Sequence, residues 1–551
     1  MRKNYSILLL ISFAACLPFK HLSAQCIEPE QPKVLLVGDS WAFFMGVDGT
    51  FNTVFRKWGH SNYKFLTNTI VAENGAETDD FLTASKQNEI KRLLDQNPSI
   101  KAVHLSIGGN DVLGDWNVNF TPQQTDSLRD IVSTKLFQII EFIKSCRPGI
   151  RIVWSGYCYP NFGEVIPTSG LNNNHPFYGT WQRMGFPDFL TLNNLLNRFS
   201  REIDSVAKLD PQLEFVNATG LMQYTFGQTQ PLGVPPGITY PPFSVPLPEG
   251  NPEYPSPRNS MRDYLLTKDC FHLSARGYLD LIEYQTRKFY HKFLMDDTFF
   301  LAQIKPNSGA VSSSGSVSDS LIMGNINGEQ FSLLLSFNTL SLPDTPITKA
   351  SVFLRRKNLL GSNPITNTLI AKIKSGNFGV SANVEPQDAT DPGNASESAC
   401  VFGSNGGNGH WIRVDLPPSF YPFIKSESSL QIMLTPSGTA NGMAVFNDGT
   451  DPELAPVLNV AYFNPNTDSK ELPKMAAETI KVYPNPAQDH LRLELSDYQI
   501  RKIEIYDLCG MKISSLHDHD GVVDISFLRP GLYVVEVSSE HRTYHSRFFK
   551  E

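Results

Sequence analysis

The chain is 551 residues long, 41% hydrophobic and 19% charged, with a formal net charge of −8 at pH 7. That length exceeds what one hydrophobic core organises, so three or four domains are expected. The acidic balance leaves no surplus of Lys and Arg to neutralise phosphates, which excludes a nucleic-acid binder.

Arg2 and Lys3 precede an apolar run, "ILLLISFAACLPF", and "HLSAQ" then offers small residues, Ser23 and Ala24, before Gln25. The pattern is that of a secretory signal peptide over residues 1–24, with an apolar region too short to span a bilayer comfortably. A lipoprotein signal cut before Cys16 is the alternative; the apolar run continuing through Leu17, Pro18 and Phe19 weighs against it. No later stretch is long and apolar enough for a transmembrane helix. Of seven cysteines, Cys16 lies in the signal. Cys26, Cys146, Cys158, Cys270, Cys400 and Cys509 form no C-x-x-C pair, which excludes the usual zinc spacings. A disulfide fits a secreted chain, with its pairing open.

From about 30 to 300 strand-like and helix-like segments alternate. "KVLLVG" and "FLTNTIVAENG" read as strands and "TDDFLTASKQNEIKRLLDQNP" as a helix ending before Pro98. "KAVHLSIGGND" reads as a strand, "TDSLRDIVSTKLFQIIEFIKSC" as a long helix, and "IRIVWSGY" as a further strand. Apolar strands separated by amphipathic helices indicate a parallel sheet covered on both faces, in which sites form at the carboxyl ends of strands. Gly38-Asp39-Ser40 and Gly108 to Asp111 sit at such ends. A loop dense in proline and aromatics follows between Met222 and Arg262, where Tyr240, Phe243 and Tyr254 suit a wall over a pocket.

"KPNSGAVSSSGSVSDS" then reads as a flexible Ser/Gly linker over 301–319. Residues 320–463 carry short strands with alternating apolar positions, such as "FSLLLSFNTL", "KASVFLRRK" and "SLQIMLTP", separated by turn-rich loops; this predicts an all-β sandwich. A polar stretch over 464–474 precedes a small β domain at 475–551.

A serine hydroxyl becomes a nucleophile when a base, usually a His held by a carboxylate, removes its proton, and the oxyanion formed needs preorganised N–H donors. No G-x-S-x-G elbow is present, which argues against a standard α/β-hydrolase. The rim offers instead "GDS" with Ser40, "NGAE" with Gly75, "GGND" with Asn110, and "DCFH" with Asp269 and His272. These four blocks, in this order, resemble the SGNH (GDSL) hydrolases, flavodoxin-like α/β esterases and lipases. The resemblance covers the domain at 30–300. It implies Ser40 as nucleophile, His272 as base and Asp269 as its orienting acid. It also implies an oxyanion hole from the N–H groups of Ser40 and Gly75 and the Asn110 amide, with no metal or cofactor. Gly75 would let the backbone approach the oxyanion unobstructed. Asp269 is the least essential member, since a backbone carbonyl can also orient an imidazole. Asp111 reads as structuring its loop, His104 as a core histidine, and His60, His175 and His291 as surface or structural. Trp41, Phe44 and Tyr240 are candidates for lining the acyl pocket; Trp41 and Phe44 equally suit core packing.

The 320–463 region looks like the DNRLRE-type or carbohydrate-binding jelly-roll sandwiches of secreted bacterial proteins, which implies glycan binding or a spacer role. Trp411 and Tyr421 read first as core or rim packing, with stacking on sugar as the alternative. "NDGTDPE" at 447–453 has oxygen ligands suited to calcium but is too short for an EF-hand and reads as a turn. At the C-terminus "VYPNPAQDHLRLEL", "IEIYDLCGMKI" and "LRPGLYVVEV" closely resemble the type A, Ig-like sorting domain of the type IX secretion system of Bacteroidota. That resemblance implies a secreted or cell-surface protein whose partner is the secretion machinery. The combined expectation is a secreted serine esterase acting on an ester substrate, a carbohydrate O-acetyl ester in the first place. A short-chain lipid ester is the alternative. From another class, a glycan-binding or adhesion protein with an inactive hydrolase domain is the rival.

Overall fold

The computed structural model describes residues 26, 28–227, 243, 247–295, 299–425, 427–462, 480–494, 500–506, 512–517, 521–539 and 543–551. The expected signal peptide, Tyr240, Cys509 and the linker at 464–474 lie outside the described residues.

Five strands, β1 (Gln31–Gly38), β2 (Tyr63–Leu66), β3 (Ala102–Ser106), β4 (Arg151–Trp154) and β5 (Leu213–Phe215), form a parallel sheet in the order β2-β1-β3-β4-β5. This is a doubly wound order with its switch point between β1 and β3. The strands carry the alternation that two covered faces demand. In β1, Val34 and Leu36 join a cluster with helices α1 (Ser40–Val47), α2 (Thr50–Lys57) and Ala275–Gln285. Leu35 and Val37 face the other way, against the helices Ala84–Gln96 and Pro122–Cys146. The long helix begins at Pro122 with a Thr121–Gln124 capping box and buries Val132, Leu136, Ile139, Ile140 and Ile143 along one side.

Two expected elements come out shorter. The strand read from "FLTNTIVAENG" stops at Leu66, because the Asn68 side chain accepts the N–H groups of Ile70 and Val71 and turns the chain out of the sheet. The helix read from "TDDFLTASKQNEIKRLLDQNP" is split into Thr78–Phe81 and Ala84–Gln96, with the Thr83 hydroxyl bonded back to the Asp80 carbonyl at the break.

The next module is all antiparallel β. Strand Glu329–Asn338 pairs with both Ile322–Ile326 and Ser429–Pro436, and this closes eight strands into a barrel-like ring, where a jelly-roll-like sandwich was expected. The expected linker at 301–319 is corrected as well. Phe299–Ala302 pairs with residues 457–460 and Gly309–Ser312 with residues 331–334, so this segment belongs to the β module. Its Ser/Gly content serves tight turns between short strands. Two further sheets, of three and four strands, enclose the core of the last module around Leu491, Ile503, Val535 and Phe548.

The first two modules are joined far more firmly than by a tether. Phe353, Trp411, Leu454 and Val457 of the β module complete the cluster that contains Trp58 and Tyr290. The rings of Trp58 and Trp411 stack 5.4 Å apart. Trp411 is therefore interface core and not a sugar platform, while Tyr421 packs half-buried against the barrel core. Arg413, buried, pairs with Glu28 at 2.5 Å and Asp415 at 2.8 Å, and Lys349 pairs with Glu28 at 2.7 Å. A disulfide, Cys26–Cys400, closes a sequence separation of 374 residues. A loop that long costs much entropy to close, so the Cys26→Ser, Cys400→Ser variant should lose about 2–5 kcal/mol. The check is guanidinium unfolding: the variant's midpoint falls below that of the oxidised protein. An unchanged midpoint would mean that the buried interface alone holds the modules together.

Candidate active site

Gly38 ends β1 where the backbone passes so close to β3 that a Cβ there would lie 1.8 Å from the Ser106 carbonyl oxygen. Its φ of +150° also suits glycine. The close approach lets the Asp39 N–H donate to the Ser106 carbonyl at 2.8 Å, and the chain turns directly into α1. Asp39 caps that helix, accepting the Trp41 N–H at 2.9 Å. Ser40 is thus the first helical residue, with its N–H among the four that a helix leaves without an internal partner. The strand ends on serine here because a capped, rigid corner holds the hydroxyl at the carboxyl edge of the sheet.

Asp269 and His272 come from the other end of the domain, on the hairpin of β6 (Met261–Tyr264) and β7 (Thr267–Leu273). The register jumps between Met261 and Asp263, so residues 269–272 have no cross-strand partner. Asp269 fixes this bulged segment itself: Oδ1 accepts the N–H groups of Phe271 at 2.7 Å and His272 at 2.8 Å. Its Oδ2 lies 2.8 Å from His272 Nδ1, and His272 Nε2 lies 2.7 Å from Ser40 Oγ. One tautomer satisfies the whole chain of contacts: Nδ1–H donates to Asp269 while the bare Nε2 accepts the Ser40 hydroxyl.

The loops after β2 and β3 are clamped together on the same rim. Asn110 Nδ2 donates to the Ala76 carbonyl at 2.9 Å, and Asp111 accepts the Thr78 N–H at 3.0 Å and the Thr78 hydroxyl at 2.5 Å. An amide has two N–H bonds, so Asn110 keeps one after bonding Ala76. Gly75 adjoins Ala76 with φ +77°, and a Cβ there would meet nothing within 4 Å. Its backbone conformation by itself favours glycine. Its N–H has no partner among the described residues.

Tyr157, just past β4, was not singled out from sequence and holds two blocks together. Its hydroxyl donates to Asp39 Oδ2 and accepts the Gly109 N–H at 2.9 Å. Burial pushes the Asp39 carboxyl up to about 6 and the Tyr157 hydroxyl well above its usual range. The only sequence trace of this role is its place at a strand end of the same rim, in "WSGY".

The expected pocket residues divide. Trp41 is 0% exposed, edge-on to Tyr157 at 5.1 Å and Tyr278 at 5.3 Å, so it is core and does not line a pocket. Phe44 lies half-buried with its ring 5.0 Å from that of His272 and the Arg262 guanidinium 4.1 Å from its ring centre. Arg262 is held there by Asp48 at 2.8 and 3.0 Å. Tyr254 holds the proline-rich loop to the domain, its carbonyl accepting from Asn193 and Gln223. His104 is buried on Tyr290, with burial lowering it to about 3, and His60 bonds His291 inside the inter-module cluster. Burial raises the Cys158 thiol to about 12, away from thiolate chemistry. Among the described residues no group of three or more His, Cys, Asp or Glu is arranged to hold a metal. In "NDGTDPE" Asp448 pairs with Lys305 and Asp451 with Arg287, as suits a turn tied by ion pairs.

Residues 481–551 match the family of secretion system C-terminal sorting domains. The chain is therefore exported by type IX secretion, to the medium or the cell surface, and its tail engages that machinery. No helix among the described residues is long and apolar enough to cross a membrane. No curated protein matches the chain. Among solved structures it is similar to a GDSL-like lipase from Bacteroides thetaiotaomicron (15% identity, 47% of this chain and 88% of that one, TM-score 0.26). It is also similar to a Clostridium thermocellum family 3 carbohydrate esterase (14% identity, 48% and 99%, TM-score 0.26). A third is the lipase Lip_vut3 from a goat rumen metagenome (11% identity, 47% and 98%, TM-score 0.26). At these scores the likeness carries no weight for function.

Proposed function

We propose that the chain is an exported serine ester hydrolase of the SGNH type, with its catalytic domain at 30–300. The observation that carries this reading is the continuous contact Ser40 Oγ–His272 Nε2 and His272 Nδ1–Asp269 Oδ2, at 2.7 and 2.8 Å. Ser40 Oγ attacks the ester carbonyl carbon while His272 Nε2 takes the hydroxyl proton. Asp269 keeps the proton on Nδ1 and stabilises the imidazolium that forms. The tetrahedral oxyanion is held by the N–H groups of Ser40 and Gly75 and by the remaining Asn110 N–H. The imidazolium returns its proton to the departing alcohol. Water, deprotonated by the same Nε2, then releases the acid and restores Ser40.

For the alcohol part of the ester the first reading is a glycan bearing O-acetyl groups, supported by the second β module fixed to the catalytic one. A short-chain lipid ester is the second reading. A cavity lined by Ile107, Val112, Leu136, Leu192, Phe199 and Phe271 reaches Gly109 and Tyr157, and its walls are almost wholly apolar. Hydrolysis of p-nitrophenyl acetate and butyrate by the full chain tests the reading, with acetylated xylan as a polymeric substrate. Turnover with acetate preferred supports the O-acetyl esterase. Preference for butyrate supports the second reading. A folded protein that turns over none of the three would favour the glycan-binding rival.

The oxyanion assignment has its own test. Asn110→Ala should lower kcat by about 10²–10³ with KM little changed, because the lost donor acts on charge that exists only in the transition state. A rise in KM at constant kcat would make Asn110 a ground-state contact instead.

A further inference from the structure

A cleft opens between the α/β domain and the barrel, lined by Cys26, Arg56, Ser61, Asn367, Asn405 and His410 and by the glycine-rich loop before His410. It is remote from Ser40. Cys26 lies before the amino end of β1 and Ser61 before that of β2, whereas Ser40 follows the carboxyl end of β1. Eight residues of strand put roughly 25 Å between the two ends.

The cleft is built rather than incidental. The loop is pinned by hydrogen bonds from Gly406 N–H to the Gly403 carbonyl at 3.0 Å and from His410 N–H to the Gly407 carbonyl at 3.1 Å. Asn363 holds the Ser404 carbonyl at 2.8 Å. A Cβ on Gly406 would lie 2.7 Å from His410 Nδ1, so bare backbone lies against that ring. The wall thus presents amides, an imidazole and Asn side chains, groups that pair with saccharide hydroxyls.

Its electrostatics run against those of the whole chain. None of the lining residues carries a carboxylate. Arg56 is exposed and forms no ion pair among the described residues. Of the cations around the His410 ring, Lys57 is paired with Glu283 at 2.5 Å, whereas Arg355 and Arg356 have no ion pair among the described residues. Arg356 is 4% exposed, and its Nε and Nη1 have no hydrogen-bond partner among the described residues. Its backbone is bonded in both directions to the loop, from its N–H to the His410 carbonyl at 2.9 Å and from the Gly409 N–H to its carbonyl at 2.7 Å. Arg356, tied to the loop through its backbone, adds positive charge near a cleft whose lining holds no carboxylate. The Arg56 fork fits a carboxylate or sulfate.

We propose that this cleft is a second, non-catalytic binding site for an acidic polysaccharide, one bearing carboxylate or sulfate groups. It anchors a polymer at the far end of the domain from Ser40, and it stands independently of the reaction assigned there.

Affinity electrophoresis of the full chain at pH 7 and physiological salt tests it, with polygalacturonate, dextran sulfate and neutral dextran as probes. A net charge of −8 disfavours indiscriminate retention by polyanions, so binding reports the cleft. Retention by polygalacturonate assigns a carboxylated ligand and by dextran sulfate a sulfated one. The double variant Arg56→Gln, His410→Ala should weaken retention about tenfold or more with an unchanged melting temperature. Failure of both acidic polymers to retard the protein overturns the proposal. So does equal retention by neutral dextran, or retention unchanged in Arg56→Gln, His410→Ala.

Discussion

Ser40→Ala is expected to lower kcat for p-nitrophenyl acetate by about 10⁴-fold or more. The loss is chemical and not structural. Helix α1 is capped by Asp39, whose carboxylate holds the Trp41 N–H, and nothing in that cap uses the serine hydroxyl. The close passage of Gly38 against Ser106 is likewise untouched. The variant should therefore match the wild type in circular dichroism and melting temperature. What remains is transition-state binding by the oxyanion donors, which supports a small residual rate over water. A variant within tenfold of wild type would place the nucleophile elsewhere.

His272→Ala should lose a comparable factor at neutral pH, because among the described residues Ser40 then has no base within hydrogen-bonding distance. Its residual rate should climb steadily with pH as hydroxide replaces the imidazole. Asp269→Asn separates the two jobs of the carboxylate. The asparagine carbonyl can still accept the Phe271 and His272 N–H groups and keep the bulge. Its NH₂ now faces Nδ1 as a donor and favours the tautomer with the proton on Nε2, which cannot accept from Ser40. The expected fall is about 10³–10⁴-fold in kcat with the fold intact. A loss below tenfold would mean that the bulge backbone alone orients the ring. Parallel pH–rate profiles of His272→Ala and wild type would remove His272 as base.

Much of this site could be read from the chain because each part announces itself locally. The apolar run of β1 ends on Gly38, and "GGND" and "DCFH" place amide, acid and imidazole at the ends of elements. Other features depend on contacts distant in sequence and leave no local trace. Tyr157 matters through Asp39, 118 residues away. Gly75 stands at a φ of +77°, a constraint that nothing in "ENGAE" announces. Trp41 and Trp411 show the limit of reading aromatics: each suits packing or a ligand from sequence, and only partners from other elements decide for packing. The Ser/Gly stretch at 301–319 failed for a compositional reason. Residues that make a loose linker also make the turns between short strands, and only pairing across the barrel distinguishes the two.

The firm junction of the first two modules bears on how the activity is measured. The buried cluster that closes α2 and the last helix of the α/β domain includes Phe353 and Trp411 from the barrel. Cutting the chain near residue 300 would expose that surface and sever Cys26 from Cys400. The full chain is accordingly the form in which the variants above should be compared.

The central claim, that Ser40 is an activated nucleophile, is tested most directly by covalent labelling of the full chain with a fluorophosphonate, followed by peptide mass mapping. The account predicts one phosphonyl adduct per chain, on the peptide containing Ser40, formed rapidly in the wild type and strongly slowed in His272→Ala. No adduct on the folded protein, or an adduct on a different residue, would contradict it.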